Sequence, residues 1–288
     1  MVLKNKILIG IGVVLVSAVM LSGVVAQDWR EHSTDHFIVF YTGSEKFAVN
    51  VAERAEFFYK KIATDLGYPR YSEFWTWDRR VKIYIHPTRD SFQKATGQPS
   101  WSEGMADYKN KQIVSYAWSK GFTESLLPHE IAHLIFRDFV GFRGEIPLWL
   151  DEGVAQWAEE AKRAELKALA RKLYDNDAIL SLVDMMRIDL KNLKEVDKVY
   201  IRSTRLKTGE PGILFISGDQ LVSTYYLQAV SLVGFLIERY GSASFADFCR
   251  QLRDGKSLEE ALRFAYPTHI RNLQDFELEW RKYLEKGE

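Results

Sequence analysis

Residues 129–133 read HEIAH, two histidines four apart with a glutamate beside the first. On a helix, positions four apart project about 40° from each other. His129 and His133 therefore stand on one face, one turn apart, where neutral imidazole nitrogens can converge on an ion such as Zn²⁺. Glu130 is rotated by about 100° from His129. It can miss a metal yet reach a water bound to it, as a general base must. Five letters alone do not decide the matter, because two histidines on an apolar helix also suit hydrogen-bonded core groups. Pro128 is tolerable if Ser125 is the N-cap, since first-turn amides have no intrahelical partner to lose.

After a gap of eighteen residues (134–151) comes Glu152, in PLWLDEGVAQWAEE. HExxH, this gap and then WLxEGxA (Trp149, Leu150, Glu152, Gly153, Ala155) resemble the gluzincin metallopeptidases, the group of thermolysin-like enzymes and zinc aminopeptidases. The resemblance implies that His129, His133 and Glu152 bind zinc and that Glu130 activates water. Three protein ligands leave a fourth position open, the arrangement of a catalytic site. A short turn through GFRGEIP would return an antiparallel helix carrying Glu152. More loosely, the strand–helix–strand start, the GMADY segment and the ending SLEEAL…LQDFELEWRKYL look like peptidase MA-like proteins, over most of residues 35–284.

Other residues follow from this reading. Gln156 and Glu159 lie four and seven positions after Glu152 on the same helical face. Glu159 is the better candidate to orient a histidine, with a solvated glutamate in the run EEAKRAE as the alternative. Asp151, where related enzymes often have Asn, receives no direct metal role. The resemblance also implies a downstream Tyr or His that stabilises the oxyanion. Tyr225 and Tyr226 are the candidates, and only one can face the cleft because helix neighbours point about 100° apart. Tyr226 is favoured, a core-filling aromatic being the alternative. GMADYKNKQIVSY resembles the edge strand on which related enzymes pair an extended substrate. Zinc aminopeptidases have a glutamate there for the substrate amine; this chain offers Asp107, so an endopeptidase is favoured. His32, His36, His86 and His269 read as structural or surface groups.

The elements that must position these residues fall into two lobes. HFIVFYTG (36–43) alternates as a strand, residues 45–67 are helical and stop at Gly67, and RRVKIYIHP (79–87) is a second strand. Residues 88–97 make a short helix with Thr88 as N-cap, and 103–118 two strands around YKNKQ. Mostly helix follows: 124–141, a long 147–176, 219–241, 242–255, 257–267 and 268–284. Within the harder stretch 177–218 a hairpin around TGEPG is expected, and so long a stretch usually covers something or moves. The fold class is α+β: a small N-terminal α/β sheet lobe (27–120) and a mainly helical C-terminal lobe (121–288) of one zincin-like peptidase domain, with the active site between them.

Composition agrees with a globular chain. Of 288 residues 47% are hydrophobic, enough for a sizeable core. Lys+Arg and Asp+Glu both number 39, and a neutral chain without a basic run has no electrostatic footprint for nucleic acid. Residues 1–26 are different: a basic MVLKNK, then ILIGIGVVLVSAVMLSGVVA without a charge. This reads as a signal peptide cut between Ala26 and Gln27, or as an uncleaved membrane anchor. Either way the rest works outside the cytoplasm, secreted or held at the membrane. The lone Cys249 forms no intrachain disulfide and reads as a buried structural thiol. The expected function is an extracytoplasmic zinc metallopeptidase acting on peptides or proteins through a zinc-activated water. The alternative is a catalytically silent, zinc-stabilised binding module at the cell envelope.

Overall fold

Alternating burial sets the register of the sheet. A computed structural model describes residues 28–68, 74–98, 102–118, 121–141, 146–190 and 198–287. Residues 1–26, read above as a leader or anchor, and most of the turn GFRGEIP lie outside the described residues. The fold is α+β, with two compact units: Met1–Phe57 with Glu73–Glu130, and Phe58–Ser72 with Ile131–Glu288.

The first unit holds a five-stranded sheet: β1 (Arg30–Ser33), β2 (Phe37–Tyr41), β3 (Val81–His86), β4 (Gly104–Asp107) and β5 (Gln112–Tyr116), in the order β1-β2-β3-β5-β4. Phe37, Val39 and Tyr41, then Val81, Ile83 and Ile85, alternate into the core. β2, β3 and β5 run parallel, while β1 and β4 are antiparallel and occupy the two ends. Parallel neighbours need crossovers. Helix α1 (Glu45–Asp65) lies between β2 and β3 in the chain, and α2 (Arg89–Thr96) between β3 and β5. α2 starts at the expected cap, Thr88, whose hydroxyl accepts the Ser91 N–H, and ends at left-handed Gly97. β4 and β5 form the expected hairpin, and β1 is a strand not anticipated from the sequence.

The helix that carries HEIAH begins differently from expectation. Gly121, at φ 95°, starts a π-helical turn over Phe122–Leu126, which passes into α3 (Leu127–Val140). Ser125 is not the N-cap; its N–H already bonds to the Gly121 carbonyl at 2.8 Å. The cause is Pro128. A proline inside a regular α-helix lacks the N–H for residue i−4 and its ring strikes that carbonyl. The wide turn ends where the proline begins, so the ladder changes spacing at the residue that cannot donate.

In the second unit the expected long helix is two: α4 (Leu148–Ala158) and α5 (Arg163–Asp175). The chain leaves the helix at Glu159, with ψ 68°, and makes a short 3₁₀ turn over Glu160–Lys162. Arg163 closes the break by donating to the Trp157 carbonyl. α4 is buried from Trp149 to Ala158 and packs on α7 (Gly218–Tyr240). α7 is apolar and long enough to cross a membrane, yet 78% of its apolar window is buried inside the protein.

Polar side chains tie the stretch before α7 to the helices. Gln228 of α7 accepts the Leu180 N–H at 2.6 Å and donates to the Leu180 carbonyl at 3.0 Å. Glu277 accepts the Leu182 N–H at the start of α6 (Leu182–Met185). The expected hairpin forms as β6 (Val199–Arg205) and β7 (Pro211–Ser217). Helices α8 (Ser242–Arg253), α9 (Leu258–Ala265) and α10 (Leu273–Lys286) follow. α10 starts at 273 rather than 268 because Asn272 is its cap, accepting the Asp275 N–H.

The α4–α7 crossing leaves no room for a side chain at Gly153. A Cβ there would lie 2.6 Å from the Ala229 carbonyl oxygen and 2.9 Å from its carbon. At Gly234 a Cβ would lie 2.6 Å from the Trp157 ring. Gly153→Ala gains up to about 1 kcal/mol of helix propensity, but backbone overpacking costs about 1–3 kcal/mol. A net loss of up to about 2 kcal/mol is expected, read as a lower denaturant midpoint at unchanged slope. A wild-type midpoint would mean that the helices can part without cost.

Candidate metal centre

His129 and His133 lie one turn apart on α3, and Glu152 lies in the first turn and a half of α4. The fold brings them together. One donor atom from each falls within 4.8 Å of the others, and the three residues are 6%, 3% and 3% exposed. The Nε2 of His133 is 4.0 Å from Glu152 Oε2, in ion-pair range and beyond a hydrogen bond. Two imidazoles and a carboxylate, buried and convergent, are a donor set that can hold a metal ion.

The other nitrogen of His133 is also engaged. Nδ1 lies 2.9 Å from Asp151 Oδ1, a hydrogen bond in which the imidazole N–H donates. This fixes the tautomer that aims Nε2 at Glu152. Asp151 Oδ2 is in turn 3.9 Å from Arg137 Nη2, one turn further along α3. Asp151, given no metal role from the sequence, is thus the side chain that holds His133, a histidine of the candidate site. The signal was available: residues 151 and 152 are about 100° apart on one helix, so two adjacent acids can address two atoms of one ring.

Glu159, the favoured candidate for that task, sits beyond the end of α4. The helical face that would have carried it stops at Ala158, and its carboxylate bonds Lys162 at 2.6 Å. Gln156 stays on α4 and is buried. Glu130 is buried too, at 5% exposed, beside His129. Asp107 closes its own turn: Oδ1 accepts the N–H groups of Lys109 and Asn110, and Oδ2 accepts the Asn110 amide.

Tyr225 and Tyr226 are both buried on α7. Burial pushes both hydroxyls well above the usual tyrosine range, and the Glu152 charge pushes them further. They differ in their partners. Tyr225 has a backbone hydrogen bond with Trp149, whereas Tyr226 also feels Asp151. Of the other histidines, His36 bonds Glu56 through both its amide and Nδ1. His86 is buried against Trp29 and Phe92, and desolvation lowers its pKa.

His133→Ala is expected to leave the full chain, purified with Zn²⁺, with far less than one bound equivalent by elemental analysis. Asp151→Ala should keep the helix content but weaken metal binding by about 10–100-fold. An unchanged affinity would show that the carboxylate only fills space. No protein-family model matches this chain, and no curated protein matches it, so its functional reading rests on the chemistry of these residues.

Proposed function

We propose that this chain is a zinc-dependent peptidase of the gluzincin, peptidase MA-like kind, exported or anchored at the membrane, that cleaves internal peptide bonds. The observation that carries the reading is the buried convergence of His129, His133 and Glu152, with Glu130 next to the first of them. Two imidazoles and a carboxylate suit Zn²⁺ and leave one coordination position open. A bound zinc ion would supply Lewis acidity, polarising the scissile carbonyl and acidifying water.

The chain's own groups do the rest. Glu130 takes the proton of the attacking water and delivers it to the departing amine. Tyr226 donates a hydrogen bond to the carbonyl oxygen as negative charge builds there. Its burial supports that role, because a hydroxyl with a strongly raised pKa stays a donor at every working pH. Tyr225, whose oxygen accepts the Trp149 backbone N–H, keeps its own proton and is the alternative donor. Asp107 is held by its own turn, which supports an endopeptidase over an enzyme that grips a free amine.

Glu130→Gln should separate binding from chemistry. Zinc should stay bound while peptide turnover falls by at least about 10²-fold, the scale of a lost positioned base. Wild-type turnover in that variant would overturn the mechanism. A chain that binds zinc stoichiometrically and cleaves nothing in a diverse peptide library would instead be a binding module.

Tyr226→Phe removes one hydroxyl and keeps the ring. Turnover should drop by about 10²–10³-fold with KM far less affected, because the bond strengthens only in the transition state. Tyr225→Phe should cost much less turnover and some stability, through its bond to Trp149. The reverse pattern in steady-state kinetics would move the role to Tyr225.

A further inference from the structure

The β6–β7 hairpin is amphipathic in the unusual sense. Its register pairs Val199 with Ser217, Ile201 with Phe215, Ser203 with Ile213 and Arg205 with Pro211. Cross-strand partners and alternate residues share a face. That face is turned to solvent: Val199, Ile201, Ile213 and Phe215 are 66%, 65%, 67% and 73% exposed. The opposite face carries Arg202 and buried Thr204. It is held in place, with Thr204 donating to the Ile179 carbonyl and Asp184 lying 4.0 Å from Arg202. Ser181 and Asp184 also bond the backbone of Ser203. The apolar face is therefore outward on a strand pair that is firmly seated.

Three observations select what covers it. The four side chains expose on the order of 500 Å², short of the roughly 800 Å² per partner of a stable protein interface. The outward face has no acidic residue, while the hairpin's cations Arg202, Arg205 and Lys207 face Asp184, Glu277 and Asp175 of the protein body. Exposed Lys198 and Lys207 flank the two ends of β6. An apolar outward face without an acidic residue suits the boundary between acyl chains and headgroups. Finally, residues 7–26 are 20 uncharged residues that read as taking this chain to a membrane.

We propose that the outer face of this hairpin docks on a lipid bilayer, with Ile201 and Phe215 at its centre. The inference rests on the membrane reading of residues 7–26 and is independent of zinc and of hydrolysis. The test uses the full chain, reconstituted in vesicles of phosphatidylcholine and phosphatidylglycerol. Phe215→Cys is labelled with an environment-sensitive fluorophore; the native Cys249 is fully buried and stays unlabelled. Lys256→Cys, in the exposed connection between α8 and α9, is the control.

The label at 215 should shift to the blue and be quenched by lipids brominated on their acyl chains, while the label at 256 does neither. Emission at 215 that matches the control overturns the proposal. So does efficient disulfide trapping between two Phe215→Cys chains without lipid quenching, which would give the face to a second copy. Neither readout depends on peptidase activity, so failure here and failure of the peptidase reading are distinguishable.

Discussion

Two helices can touch backbone to backbone only where one of them lacks a side chain. At the α4–α7 crossing that residue is Gly153, against the Ala229 carbonyl. The position is one residue after Glu152 and two after Asp151. The close approach that excludes a Cβ therefore also fixes the height and rotation at which both acids leave α4. It brings the same α4 turn near the tyrosines of α7, whose hydroxyls feel Glu152. The E-G pair in WLDEGVA is one device: the glycine sets the helix and the acid uses the setting. A second small residue, Gly234, lets Trp157 lie flat against α7 further along the same contact. A shift of α4 would move Asp151 and Glu152 together.

What the sequence made legible follows from the range of each interaction. Elements set by local alternation and capping were readable: β2, β3, the β4–β5 hairpin, α2 with its Thr88 cap and the β6–β7 hairpin. The pairing of His129 with His133 is also local, since one helix carries both. The errors lie where side-chain partners, rather than propensity, decided. The run from Leu148 to Asp175 has unbroken helical propensity, yet Arg163 caps the Trp157 carbonyl and splits it. Position 159 lies beyond α4 for that reason, and the acid that bonds His133 is Asp151. The π turn had a local cause in Pro128, but the sequence allows either an early cap or a widened turn. Only the packing around left-handed Gly121, tight against Trp118, separates them.

The stretch before α7 shows how the helical core recruits irregular chain. Residues 179–182 form no sheet with a neighbour, so their backbone groups need side-chain partners. Gln228 supplies both a donor and an acceptor to Leu180, as a strand would. Glu277 caps Leu182 and is itself held by Arg281 at 3.0 Å. Desolvation lowers the pKa of Arg281, and the Glu277 charge opposes that shift. Two buried polar side chains on α7 and α10 thus convert a loop into a platform on which the inner face of the β6–β7 hairpin can rest. That leaves the outer face of the hairpin free of structural duty, which is why its isoleucines and phenylalanine call for a partner.

The charge inventory gives the site its final constraint. Glu130, Asp151 and Glu152 are all at most 8% exposed, on two neighbouring helices. Buried carboxylates are stable when paired with cations or bound to metal. Arg137, 3.9 Å from Asp151, answers one of them, and the hydrogen bond from His133 answers it further. Glu152 instead faces the other nitrogen of the same imidazole at 4.0 Å. An ion held there would balance its charge, while the Asp151 bond keeps the proton on the opposite nitrogen. Burial first, and then the Glu152 charge, raises the pKa of both tyrosines on α7. Near an acid-rich centre a phenol keeps its proton, and it remains a donor to negative charge rather than adding to it.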